Sequence, residues 1–107
     1  MDNDYVYLDN FIWDINKATT NITKHHISFE TACRIFNDPA LYVFQDMKNS
    51  TASEERYNCI GAVDGYLTVL TVTMTEREKY IRIISARKSN ATERKLYYEN
   101  AKNLSDD

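Results

Sequence analysis

The sequence contains few of the residues that break a chain into flexible pieces: two glycines and one proline in 107 residues. That scarcity argues for one core without a linker, and no glycine-rich loop is available to cradle a phosphate. Long apolar runs are missing too, and a window of about 18 apolar residues would be needed to cross a bilayer as a helix. Cysteine is sparse. Cys33 and Cys59 fit no CxxC or Cys/His metal spacing, and both lie inside apolar stretches, as reduced core thiols do. No metal site and no cofactor are expected. Met1-Asp2-Asn3-Asp4 is acidic where a secretory leader is basic and then apolar, so the expected location is the cytoplasm, away from membranes. A hydrophobic content of 43% suits one domain over residues 1–107, with a core at about 11–104 between acidic, polar ends.

The formal net charge of -3 argues at first against a phosphate-bearing partner. Its distribution argues the other way. With Asp2, Asp4, Asp106 and Asp107 set aside from the sixteen acidic residues, thirteen basic side chains face twelve acidic ones. Between Arg77 and Lys95 stand Arg77, Lys79, Arg82, Arg87, Lys88, Arg94 and Lys95 against only Glu78 and Glu93, a local balance of +5. This is the candidate anion-binding region.

The apolar spacing predicts an α+β layout. Residues 11–14 form a short apolar lead-in that ends on Asp14, whose side chain can cap a helix over residues 15–24. In that helix Ile15, Ala18 and Ile22 form a narrow buried stripe, leaving Lys17, Asn21 and Lys24 outside it. Ser28 offers a second cap for a helix over 29–36, which Asn37-Asp38-Pro39 ends. The period then changes from helical to strand-like. Strands are predicted at 41–44, 56–63, 66–74 and 80–85, with a polar loop at 47–53 and a turn at 76–78. Asp64-Gly65 is a hairpin signal, since a tight turn with positive φ at both positions favours that pair. Asn90 and Glu93 have the spacing of a capping box for a last helix from about residue 91, with Tyr97, Tyr98, Ala101 and Leu104 on its apolar face. The fold expected is a four-stranded antiparallel sheet with two N-terminal helices and one C-terminal helix.

Four clusters in order give the chain a family likeness. They are Phe11-x-Trp13-Asp14-x-x-Lys17-x-x-x-Asn21-x-x-Lys24-His25; Ser28-Phe29-Glu30-x-Ala32-x-x-Ile35-Phe36-x-Asp38-Pro39; Glu55-Arg56-x-x-x-Ile60-Gly61; and Arg82-Ile83-Ile84-Ser85-Ala86-Arg87-Lys88 with Glu93-Arg94 and Tyr97. Across residues 11 to 98 the chain resembles the BrnT family of bacterial toxins. The resemblance implies a ribonuclease toxin of a type II toxin–antitoxin module, with a fold similar to RelE-type toxins. It also implies a BrnA-like antitoxin as partner, RNA as substrate, and promoter DNA bound only through the antitoxin complex. His26 departs from the family pattern, standing where glycine is usual.

Cleaving RNA through its own 2′-hydroxyl needs a base for that proton, an acid for the leaving 5′-oxygen and cations for the charge on phosphorus. His25 and His26 are the only histidines, and His25 matches the family position. It is a candidate proton carrier or, alternatively, a helix-end residue bonded to the last free carbonyls. Arg82 and Arg87 are the other catalytic candidates, because a guanidinium offers a planar fork of donors and stays charged. In a regular strand they face opposite ways, so they converge only if the chain bends near Ala86. Otherwise Arg82 pairs with a carboxylate such as Glu55 or Glu93.

Lys24, Arg56, Ser85, Lys88 and Tyr97 are candidates for holding phosphate or RNA. Four of them have a structural alternative: a solvated helix-end lysine for Lys24, a cross-strand salt bridge for Arg56, a strand-end hydrogen bond for Ser85, and core packing for Tyr97. Tyr5, Tyr7, Tyr42, Tyr57 and Tyr98 are available to a protein partner or to half-buried strand positions. Two readings follow, a metal-independent endoribonuclease toxin and a catalytically degenerate module kept for antitoxin binding and promoter control.

Overall fold

The computed structural model describes residues 4–65 and 67–105. Six strands and three helices follow one another as β1 (Tyr5–Leu8), β2 (Phe11–Asp14), α1 (Ile15–His25), α2 (Phe29–Cys33), β3 (Tyr42–Gln45), β4 (Arg56–Val63), β5 (Thr68–Arg77), β6 (Tyr80–Lys88) and α3 (Ala91–Ser105). The expected antiparallel meander is present as β3-β4-β5-β6. The sheet is larger than expected, with spatial order β1-β2-β6-β5-β4-β3. Residues 11–14 are a strand, not a lead-in: β1 and β2 form a hairpin, and β2 runs parallel to β6 through Phe11↔Ile81 and Ile12↔Arg82. The sheet is therefore mixed. That pairing joins residues about seventy positions apart, which no local pattern announces.

The caps form where the sequence placed them. Asp14 accepts from Asn16 N at 2.7 Å and Lys17 N at 3.1 Å, and Ser28 Oγ accepts from Thr31 N at 3.1 Å. The second helix is α-helical only to Cys33, and Arg34–Asn37 tightens into a 3-10 turn before Pro39. At the hairpin between β4 and β5, Asp64 and Gly65 both have positive φ, 54° and 64°. Pairing resumes at Val63↔Thr68, so the connection is longer than the expected two-residue turn; Tyr66, expected to open the strand, lies outside the described residues. Gly61 is required by close packing, since a Cβ there would lie 2.7 Å from Ile35 Cβ.

Two apolar layers hold the sheet. Trp13, Phe29, Ala32, Ile35, Leu70, Val72, Ile83 and Ala86 belong to the layer under the N-terminal helices. Ile60, Ala62, Val69 and Tyr97 form the smaller one under α3. Full burial of each valine, leucine, isoleucine or phenylalanine among them contributes about 1.5–3 kcal/mol. Cys33 and Cys59 are buried free thiols, each pushed up to about 12 by desolvation, as suits inert packing. In the apolar layer α3 contributes Tyr97 and Ala101, and Asn100 Nδ2 donates to Ala40 O at 3.1 Å; Tyr98 and Leu104, expected on its buried face, are about half exposed. Asp38 ties this layer together, accepting from Ala40 N at 2.9 Å, Ala62 N at 2.8 Å and the Tyr97 hydroxyl at 2.5 Å.

Candidate active site

The register of β6 against β5 decides where its arginines face. Met74 pairs with Ile83 and Thr73 with Ser85, so Ile84 is an extra residue with no partner, a β-bulge. An extra residue in a period-two structure inverts the alternation that follows it. Arg82 lies opposite Thr75, Ser85 opposite Thr73 and Arg87 opposite Thr71. Those three threonines share one face of β5, and so do their partners. The bend foreseen near Ala86 is thus supplied two residues earlier, and both arginines face the side of the sheet on which α3 sits. Arg56, opposite Thr75 on β4, lies on the same face.

Beyond Arg82, β6 has no strand on its outer edge, because β2 pairs only with Ile81 and Arg82. The α1 helix covers that edge instead. The Asn21 amide donates to Ala86 O at 2.8 Å and Ile27 O at 2.9 Å, and its Oδ1 accepts from Ala86 N at 3.0 Å. One side chain replaces a strand's two ladder bonds. Asn21 is 5% exposed, whereas Ile15 and Ile22 are 41% and 48% exposed, so the expected stripe is rotated and its polar neighbour faces inward. The reason is chemical. A strand edge demands hydrogen-bonding partners that an isoleucine cannot supply.

Between α1 and the bulge lies a depression of about 390 Å³ whose lining includes Lys17, Lys24, His25, Ile84 and Ser85. Lys24 and His25 are exposed, Ser85 is half-buried, and the His25 imidazole makes no hydrogen bond among the described residues. His26 closes α1 in the left-handed conformation, φ 60° and ψ 27°, donating its N–H to Ile22 O. The chain turns there in a conformation that favours glycine, with the histidine side chain accommodated.

A second depression, about 400 Å³, is lined by Arg82, Arg77, Thr75, Tyr57, Glu54 and Glu55 among others. Arg82 is half-buried, and its Nε is shut off from water without a hydrogen-bond partner. Its guanidinium carbon sits 5.5 Å from the centre of the Tyr5 ring. Among the described residues no carboxylate reaches it as an ion pair. The nearby acids have other partners. Arg56 Nε binds Glu54 at 2.9 Å and holds its carboxyl below the usual range, and Glu55 accepts the Tyr57 hydroxyl at 2.7 Å, which raises the phenol. The pairing foreseen between Arg82 and Glu55 or Glu93 is therefore not made.

Glu93 pairs with Arg87. Nη1 and Nη2 bind the two carboxylate oxygens at 2.7 and 2.8 Å, a bidentate fork. That bond holds Glu93 below the usual carboxylate range and raises Arg87. Glu93 also accepts from Asn90 N at 2.8 Å while Asn90 Oδ1 accepts from Glu93 N at 2.9 Å, the capping box expected. Arg87, expected to meet phosphate, instead joins β6 to the start of α3.

The remaining candidates scatter. Arg56 is engaged by Glu54, in line with its salt-bridge alternative, although across two residues of one chain segment and not across strands. Lys88 is exposed opposite Leu70, on the other face of the sheet from Arg82. Tyr97 is fully buried, so its ring cannot stack on a base, and its core alternative is the one the fold realises. Among the described residues no group of three or more His, Cys, Asp and Glu gathers as metal ligands. Sequence reasoning counted Arg77 in the basic tract without giving it a role of its own, and it missed the roles of Asn21 and Thr75; for Asn21 the signal was its place three residues after Ala18, on the inward face.

No curated protein matches the chain. A family model described as the ribonuclease toxin BrnT of type II toxin–antitoxin systems matches residues 13–93. That span takes in α1, the bulge, both depressions and the Arg87–Glu93 fork, and it leaves out β1. Matched over most of its length, the chain belongs to the BrnT family of ribonuclease toxins.

Proposed function

We propose that this protein is an endoribonuclease that cuts RNA through its own 2′-hydroxyl, without a metal ion, and so arrests translation and growth until an antitoxin neutralises it. The observation that carries this reading is Arg82: a half-buried cation, with no carboxylate partner among the described residues, facing a polar depression on the sheet. A phosphate would form the ion pair that no carboxylate makes with Arg82 among the described residues, and a fixed guanidinium stabilises the charge that builds on phosphorus. His25 lies across the bulge in the depression that also holds Lys17, Lys24 and Ser85. Its imidazole makes no hydrogen bond among the described residues, so its ring nitrogens are open to the 2′-hydroxyl or the leaving oxygen of an RNA. Lys24 and Lys17 attract the backbone, and the Ser85 hydroxyl donates to a phosphate oxygen. At about 3.3 Å per residue, Arg82 and Ser85 are roughly 10 Å apart along the strand, a gap that a dinucleotide wrapped over the strand edge spans.

Arg87 belongs in this reading as a positioning residue, since its fork is occupied. The partner is a BrnA-like antitoxin that masks the site and carries the complex to its promoter; toxin and antitoxin act in the cytoplasm. The test is RNA cleavage by purified, antitoxin-free protein in EDTA. Cleavage that persists in the chelator and falls about 10²-fold or more in His25→Ala supports the reading. Intact RNA beside well-folded protein overturns it in favour of a degenerate module.

A further inference from the structure

Beside Arg82, on one face of the N-terminal hairpin and β6, lie four side chains that the cleavage chemistry does not use: Tyr5, Tyr7, Ile12 and Tyr80. Tyr7 lies opposite Ile12, and Ile12 lies beside Arg82, so these three share a face, together with Tyr5 and Tyr80 two residues along their strands. Tyr7 and Tyr80 meet edge to face at 5.3 Å, and Tyr5 carries the Arg82 guanidinium at 5.5 Å. Lys79 Nζ sits 5.5 Å from the Tyr80 ring. The rings surround a depression of about 420 Å³ over Ile12, which is 7% exposed although it belongs to neither apolar layer. Arg77 lines both this depression and the one that holds Arg82, so the two adjoin.

We propose that Tyr5, Tyr7 and Tyr80 form a base-stacking subsite that holds one unstacked nucleobase of single-stranded RNA beside the scissile phosphate. The inference rests on the ribonuclease reading and adds the substrate class: a single strand, not a duplex, because only an unpaired base can leave its stack to lie on a tyrosine. Three features support it. Tyr7 is 55% exposed, more than a ring needed only to cover Ile12 would be. The cations Arg77, Lys79 and Arg82 surround the rings, matching a polyanion's backbone. The lining of three tyrosine rings over Ile12 suits the flat face of a base better than a phosphate. β1, which brings Tyr5 and Tyr7, lies outside the residues matched by the family model, so that match does not assign the subsite.

The test measures binding of a fluorescein-labelled single-stranded oligonucleotide with 2′-O-methyl sugars, which has no nucleophile and is not cut, by anisotropy on the full chain. Stacking of one base is worth about 1–3 kcal/mol, so Tyr7→Ala weakens binding roughly 5- to 100-fold. Tyr7→Phe, which keeps the ring, stays within about twofold of the parent, and a duplex of the same sequence binds the parent far less tightly. Melting curves of both variants establish that they fold. Unchanged affinity in folded Tyr7→Ala overturns the subsite, as does equal affinity for an oligonucleotide without bases. RNA cleavage is run in parallel. Parent protein that cuts RNA while Tyr7→Ala binds normally removes only the subsite; parent protein that neither binds nor cuts single strands removes the ribonuclease reading with it.

Discussion

The two ends of β6 carry the same residue to opposite uses. Arg82 and Arg87 lie on one strand and, through the bulge at Ile84, on one face of the sheet. Arg87 is held by both oxygens of Glu93, which also caps α3, so its charge is spent inside the fold. Arg82 has an aromatic ring 5.5 Å away and, among the described residues, no carboxylate in an ion pair with it. The comparison teaches that a basic tract is not one functional unit. A guanidinium whose fork is filled fixes architecture, and one left without a counterion is where a fold has room for an external anion.

The largest effect that would sharpen this contrast is on chemistry. Arg82→Ala is expected to lower RNA cleavage by about 10²- to 10³-fold, the usual loss for one charge-stabilising donor, with melting changed little; equal activity in the variant removes Arg82 from the site. Next is the support under both arginines. Asn21→Ala leaves the Ala86 N–H and C=O without partners at a covered edge, a loss of about 3 kcal/mol at 1–3 kcal/mol per unsatisfied group, measured by urea unfolding. A loss under about 0.5 kcal/mol would mean that water replaces the amide freely.

The Arg87 end should respond through stability. Charged hydrogen bonds contribute about 1.5–3 kcal/mol, and with Arg87 41% exposed the loss in Glu93→Gln is expected near the lower end, about 1–2 kcal/mol. The pH dependence has a definite sign. Glu93 is depressed in the fold, so its contribution is complete above the unfolded value of about 4.5 and is lost as pH falls through the lower folded value. Unfolding midpoints followed from pH 6 down to about pH 3 should converge between parent and Glu93→Gln; parallel curves would deny the linkage. The smallest effect is a gain. His26 holds a left-handed conformation that costs a side chain roughly 1 kcal/mol, so His26→Gly should raise stability by about that amount, visible as a higher melting temperature.

Much of the architecture was legible in the sequence because it is local. Asp14, Ser28 and the Asn90–Glu93 box are caps read from single residues, and the Asp64-Gly65 turn fixes the hairpin that seeds the meander. What stayed hidden is nonlocal or has no sequence mark. The parallel pairing of β2 with β6 made a lead-in into a strand and a four-stranded sheet into one of six. The bulge falls within an isoleucine pair, Ile83-Ile84, with no glycine to announce it, so the facing of Arg87 was open until the register was known. The candidate site was legible to the same degree. His25, Lys24, Arg82 and Ser85 fall at the depressions, whereas Arg87, Arg56 and Tyr97 are taken by partners three-dimensional packing supplies.

The most direct test sets the two arginines against each other in one assay: RNA cleavage per folded molecule for Arg82→Ala and for the double variant Arg87→Met/Glu93→Met, which removes the fork without leaving a charge unpaired. The account predicts a loss of about 10²-fold or more in the first and less than about fivefold in the second. A collapse of cleavage in the folded double variant, with Arg82→Ala near parent activity, would contradict it.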